Sequence, residues 1–107
     1  CTVALDGKPV TSCLVLAPQV NGRDVMTISG VMQTKIGEKL MKKFIEHDAA
    51  QCGYCIPGMV TTAFCLIKDK NNTLEEDEIK YMMAGNLCRC GGYPAQIKAI
   101  KEASSEI

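Results

Sequence analysis

The chain has 107 residues, 47% hydrophobic and 22% charged, which is enough to bury one modest core and too apolar for a disordered segment. Twelve basic and twelve acidic side chains cancel, and no Lys/Arg block exceeds two, so the basic footprint of a nucleic-acid binder is absent. No apolar run approaches the roughly 20 residues of a bilayer-crossing helix, and no charged-then-apolar start resembles a secretory signal. The expectation is a soluble, cytoplasmic protein with neither nucleic acid nor a membrane span.

Residues 1–31 read as extended. Val3, Leu5, Val10, Leu14 and Leu16 fall near period two, Asp6-Gly7 supplies a hairpin turn, and Val25 to Ile28 is a further short strand. This stretch is expected to be too small to close a sheet of its own. Its start at Cys1, without an initiator methionine, marks it as part of something longer.

From about residue 34 the period becomes helical, with Ile36, Leu40 and Phe44 on one face and a stop near Ala50. A second helix is expected from about Pro57 to Lys68, apolar on most sides and therefore central. Asp69 to Asn72 is a polar break. Thr73-Leu74-Glu75-Glu76 reads as a capping box opening a third helix, which carries Ile79, Met82 and Met83 inward and ends at a left-handed Gly85-Asn86. A fourth helix runs from about Pro94 to Ala103, with Ile97 and Ile100 facing the core. The six methionines read as core filling, and His47 as a helix-end residue rather than a ligand.

Seven cysteines punctuate this pattern. Four form two tight pairs, Cys52 and Cys55 in CGYC and Cys88 and Cys90 in CRC, each beside glycines and a proline at a helix start. Thiolates converging from two short loops suit one closed metal centre, and the 32 residues between Cys55 and Cys88 accommodate the helices that would bring the pairs together. A secreted disulfide scaffold fits poorly with the odd cysteine count and long helices. Cys65, within an apolar run, reads as a small buried hydrophobe. Spacing alone leaves structural zinc and an iron-sulfur cluster equally open, with a thiol-disulfide role for Cys52 and Cys55 as a third class. Arg89 is either a charge beside the centre or a solvated side chain, and Gly91-Gly92 is either an amide nest or, more simply, a tight turn. No nucleophile-base set or phosphate loop accompanies the cysteines, so the chain is expected to do no bond-making chemistry itself.

The run from Ala50 to Met59, AQCGYCIPGM, and that from Gly85 to Tyr93, GNLCRCGGY, together with Cys1-Thr2-Val3, Leu5-Asp6-Gly7 and Ser12-Cys13-Leu14, resemble the iron-sulfur subunit of the xanthine oxidase and aldehyde oxidoreductase family of molybdenum hydroxylases. The resemblance covers nearly the whole chain. It implies a mainly α fold: a helical [2Fe-2S]-binding four-helix bundle over 32–107, preceded over 1–31 by the C-terminal remnant and linker of a plant-type ferredoxin-like β-grasp domain. It assigns Cys52, Cys55, Cys88 and Cys90 as cluster ligands and favours [2Fe-2S] over zinc.

Cys1 and Cys13 match the third and fourth ligands of a plant-type cluster whose first two are missing here, so an N-terminal part outside this sequence, or its removal, is expected. By the same resemblance Gln51 and Cys90 lie near molybdopterin held by a large subunit, and electrons pass onward to a second [2Fe-2S] cluster and to FAD on another subunit. An exposed apolar patch beside the cysteine turns is expected where the large subunit docks. Ile56 and Gly91 stand where such proteins usually have Thr, and Gln96 replaces an apolar residue, departures that would alter hydrogen bonding around the cluster.

Overall fold

The structure, a computed structural model, describes residues 1–71 and 73–107. Of the expected polar break, Asn72 lies outside the described residues.

Strand β1 (Thr2–Leu5) pairs antiparallel with β2 (Lys8–Thr11), in register Thr2 with Thr11 through Leu5 with Lys8. Asp6 and Gly7 make the turn with φ of 51° and 82°, the positive angles that a two-residue hairpin with matching twist demands. Asp6 is also fastened from outside, since its carboxylate accepts from Arg23 Nε at 2.7 Å and from the Asp24 N–H at 2.9 Å. Strand β3 (Val25–Met26) adds to the other edge of β1 and completes a three-stranded sheet in the order β2-β1-β3. The expectation that this segment cannot close a sheet is thereby corrected. The pairing of Ala4 with Met26 and Leu5 with Val25 brings in a distant segment that local pattern does not reveal.

Leu14 and Leu16 are not strand residues. Ser12–Leu14 and Ala17–Val20 are 3-10 turns, and both leucines are exposed, at 81% and 69%. The candidate strand ends at Met26, because Ile28 already opens the short helix α1 (Ile28–Val31).

Helices α2 (Lys35–Glu46), α3 (Ile56–Lys70), α4 (Glu76–Met83) and α5 (Tyr93–Ser105) form the expected bundle, each packed on two neighbours in the ring α2-α3-α4-α5. Thr34 caps α2: its hydroxyl accepts the Gly37 N–H at 3.0 Å and donates to the Val31 carbonyl at 2.6 Å. The same crowding explains Gly37, where a Cβ would come within 2.0 Å of the Val31 carbonyl oxygen. Helix α3 is the central one. Met59 through Ile67 are buried without interruption, and the sheet packs on the same helix through Ala4.

Three helix ends differ from expectation. The cap of α4 sits two residues later than Thr73, at Glu75, whose N–H is accepted by the Glu78 carboxylate at 3.0 Å, while Leu74 turns inward and is fully buried. Gly85 and Asn86 are not left-handed. The left-handed terminus belongs instead to α3, at Asn71 with φ of 53°. Helix α2 stops at Glu46, with His47 as its C-terminal cap and Asp48 in the positive-φ region.

Phe44, Leu40, Ile79, Ile100 and Leu74 fill the core, each stabilising the fold by about 1.5–3 kcal/mol through burial. Met59 and Met83 are core residues as expected, and Met26, Met41 and Met82 pack against it, but Met32 is exposed. At the far side of the bundle Lys43 is buried and paired with Glu46 at 2.8 Å and with Glu102 and Glu106 at 2.7 Å. His47 reaches Glu102 at 2.6 Å. This cluster stitches α2 to α5 and engages the histidine, which is a helix-end residue as read.

Candidate metal centre

The two cysteine pairs occupy the turns of two helix hairpins, one between α2 and α3 and the other between α4 and α5. Ala49 anchors the first. It is buried, and its N–H donates to the Phe44 carbonyl at 2.9 Å, which reverses the chain at the end of α2. Gln51, Cys52 and Tyr54 then emerge into solvent. Gly53, at φ of 84°, makes the bend between the two cysteines, and Cys55 leads directly into α3 with Pro57 in its first turn.

The second turn is built in a parallel way. The Asn86 N–H donates to the Met83 carbonyl at 3.0 Å, and Cys88 is buried. Gly91, at φ of 74°, carries the chain into α5 with Pro94 in its first turn. Asn86 also holds this turn from below, accepting from Thr62 Oγ1 of α3 at 2.9 Å and donating to Thr2 Oγ1 of β1 at 3.2 Å. A Cβ on Gly58 would meet Asn86 Nδ2 at 2.9 Å, so the glycine after Pro57 keeps room for that clip.

Cys52, Cys55 and Cys88 line one concavity of about 280 Å³ with Tyr54, Leu87, Arg89 and Tyr93. Cys90 is exposed and lies outside that lining, and Gln51 is exposed next to Cys52. No disulfide joins any of the seven cysteines. Backbone donors face the sulfurs: the Gly92 N–H donates to Cys88 Sγ at 3.4 Å, and the Tyr54 N–H to Cys52 Sγ at 3.5 Å. Gly91-Gly92 is the tight turn expected, since the Gly91 N–H bonds to the Cys88 carbonyl at 3.1 Å, and its second amide is aimed at sulfur as well. The Gly92 amide is the main influence holding the Cys88 thiol below its ordinary pKa, whereas burial and the adjacent Cys88 raise that of Cys55.

Such donors favour thiolate, the form that binds metal. The donor set is all sulfur and comes in pairs, and among the described residues no three His, Cys, Asp or Glu side chains are grouped to hold a single ion. A structural zinc needs four ligands on one ion, so the zinc reading finds no support here. A [2Fe-2S] cluster divides its four thiolates between two irons, and the paired arrangement fits that division.

Sequence reasoning had marked Gln96 as a departure without giving it a role. Its side chain reaches from α5 to Cys55 and Cys88 at once, with Nε2 at 3.5 and 3.7 Å from the two sulfurs. The signal was a polar residue on the inward face of an otherwise apolar helix. Cys65 is 2% exposed, away from the concavity, as its apolar surroundings implied. Cys1 and Cys13 are exposed at one end of the hairpin, where the Ser12 N–H bonds to the Cys1 carbonyl at 2.9 Å. Beside the concavity Tyr54 and Leu87 stand 95% and 83% exposed, the apolar rim expected there.

The family described as "[2Fe-2S] binding domain" matches residues 27–101. The chain is 46% identical over 93 residues to the nicotinate dehydrogenase small FeS subunit of Eubacterium barkeri, covering 87% of this chain and 59% of that one. Among solved structures, quinoline 2-oxidoreductase from Pseudomonas putida 86 superimposes with a TM-score of 0.84 at 39% identity, over 99% of this chain and 65% of that one. The aldehyde oxidoreductase from Desulfovibrio desulfuricans ATCC 27774 also gives 0.84, at 33% identity, over 97% of this chain and 12% of that one. The chain spans about half to two thirds of the length of the curated relatives it matches. These likenesses bear out the resemblance to iron-sulfur subunits of molybdenum hydroxylases, and the chain belongs to the [2Fe-2S] binding domain family.

Proposed function

We propose that Cys52, Cys55, Cys88 and Cys90 hold a [2Fe-2S] cluster and that the chain is the electron-relaying part of a larger molybdenum hydroxylase. The observation that carries this reading is the meeting of Cys52, Cys55 and Cys88 from two hairpin turns around one concavity, with amide donors on their sulfurs. Bound there, the cluster supplies one-electron redox chemistry. The chain's own residues hold thiolates ready, through the Gly92 and Tyr54 amides. They also keep water from the inner side of the site, where Cys88, Gly92 and Ile56 are buried.

In this reading electrons arrive from a molybdopterin site on a large subunit and leave towards a second [2Fe-2S] cluster and FAD on a further subunit. Relatives named as small or iron-sulfur subunits of nicotinate, caffeine and xanthine dehydrogenases support such a place in a complex. Gln51 and Cys90 are the residues proposed to face the molybdopterin, and their exposure at the outer rim of the turns suits that role. Tyr54 and Leu87 form the apolar surface the large subunit covers. The division into a β-grasp remnant over 1–31 and a helical domain over 32–107 is part of the same proposal. Cys1 and Cys13 then supply two of the four ligands of the second cluster.

Iron and acid-labile sulfide analysis of the purified protein tests the reading, with a visible spectrum before and after dithionite. Two irons and two sulfides per site and a brown chromophore that bleaches on reduction are expected, and Cys55→Ser or Cys88→Ser should abolish them. Colourless protein containing zinc would overturn it.

A further inference from the structure

Gln96 is 2% exposed on the first turn of α5. Its Nε2 lies 3.4 Å from the Ala49 carbonyl oxygen, 3.5 Å from Cys55 Sγ and 3.7 Å from Cys88 Sγ. A carbonyl oxygen can only accept, so the NH2 end of the amide must face Ala49, and this orientation turns its hydrogens towards the sulfur pair. The other end pays for that choice: among the described residues Gln96 Oε1 is buried with no hydrogen-bond partner.

A leucine at this position would fill similar space and leave no acceptor orphaned, so packing does not account for an amide here. Its donors do. Cys55 belongs to the first turn and Cys88 to the second, and among the described residues no other side chain donates to a cysteine sulfur. A contact to Gly92 reinforces the position, since a Cβ on Gly92 would come within 3.2 Å of Nε2, which the absence of a side chain avoids.

We propose that Gln96 sets the reduction potential of the cluster by donating from a single amide to ligand sulfurs of both cysteine turns. The inference rests on the assignment of Cys55 and Cys88 as ligands made above. Reduction adds one electron and breaks no bond, and the added negative charge falls partly on sulfur. A hydrogen bond to sulfur strengthens with that charge, so it stabilises the reduced state more than the oxidised one and raises the potential.

The test is a dithionite titration, followed by electron paramagnetic resonance, of the full-length protein purified with its native partners. The signal of this cluster is identified as the one that Cys55→Ser removes. Gln96→Leu should keep full iron and sulfide while its reduced-to-oxidised ratio at a fixed ambient potential falls about tenfold, equivalent to about 59 mV for one electron. Gln96→Glu, which keeps the shape and replaces the donor by an oxygen, should fall at least as far. An unchanged midpoint in a fully loaded variant would overturn the proposal. So would loss of iron from both variants, because Gln96 would then retain the cluster rather than tune it. Wild-type protein without iron and sulfide is a separate outcome, which removes the ligand assignment and this inference together.

Discussion

The hydroxyl of Tyr93 accepts the backbone N–H of Cys88 at 2.7 Å, so the first residue of α5 closes the loop that carries the second cysteine pair. Five residues separate the partners, and the bond holds Cys88 in the orientation in which the Gly92 amide also meets its sulfur. Tyr93→Phe keeps the ring and removes the acceptor. We expect a loss of about 1–2 kcal/mol in urea unfolding, because a buried residue's N–H is left unpaired. Loss of colour in the presence of an iron chelator should quicken in parallel. Unchanged values of both would show that the bond does not hold the turn.

Gly37→Ala should destabilise the fold by about 1–3 kcal/mol, the range of overpacked sites. The obstacle to a Cβ is the Val31 backbone, at 2.0 Å, rather than a side chain that can swing aside. Helix α1 would have to move away from the start of α2. A thermal midpoint equal to that of the parent protein would contradict this account, since a helical Gly→Ala change without a clash is ordinarily stabilising.

The Lys43 cluster predicts a pH dependence. Lys43 holds the carboxyls of Glu46 and Glu102 below their ordinary pKa, with His47 adding to the effect on Glu102. A carboxyl whose folded pKa is depressed contributes stability above its unfolded value and loses it as pH falls through the folded value. The contribution should therefore be complete above about pH 4.3 and decline below it. Lys43 itself is shifted upward by the same carboxylates, chiefly Glu102, so its share is present below about pH 10.4 and fades only at higher pH. Lys43→Met should lower stability at pH 7 and flatten the decline below pH 4, as read from urea midpoints across pH. An equally steep acid decline in that variant would place its origin elsewhere.

Thiol reactivity should separate Cys65 from the rest. Burial pushes its pKa up to about 11, so at pH 8 roughly one molecule in a thousand carries the thiolate. In iron-free folded protein, iodoacetamide should modify the exposed Cys1, Cys13, Cys52 and Cys90 first and Cys65 last, as followed by mass spectrometry. Cys65→Ser should leave iron content intact. Early labelling of Cys65 would mean that α3 opens more readily than its packing implies.

How much of this was legible beforehand divides along a physical line. The cysteine pairs, the helix period around Leu40 and Phe44, the all-round burial of α3 and the Asp6-Gly7 turn are local signals, and each corresponds to a feature of the fold. Leu14 and Leu16 misled because alternation of two leucines looks the same whether or not a partner strand exists, and here both side chains face solvent. Thr73 looked like a cap, but Leu74 is drawn into the core and Ser104 accepts no such shift without its bond to the Leu74 N–H at 3.1 Å, so the helix begins later. Of the candidate site, residue types and spacing were readable. The convergence of Gln96 on two sulfurs was not, since it depends on how α5 packs beside the turn at Ala49.

Asn86 has a mechanical consequence. One side chain fastens the approach to Cys88 both to α3, through Thr62, and to the first strand, through Thr2. Force applied to the amino-terminal hairpin is therefore transmitted to the second cysteine turn, and anything that clamps the hairpin braces that turn at a distance.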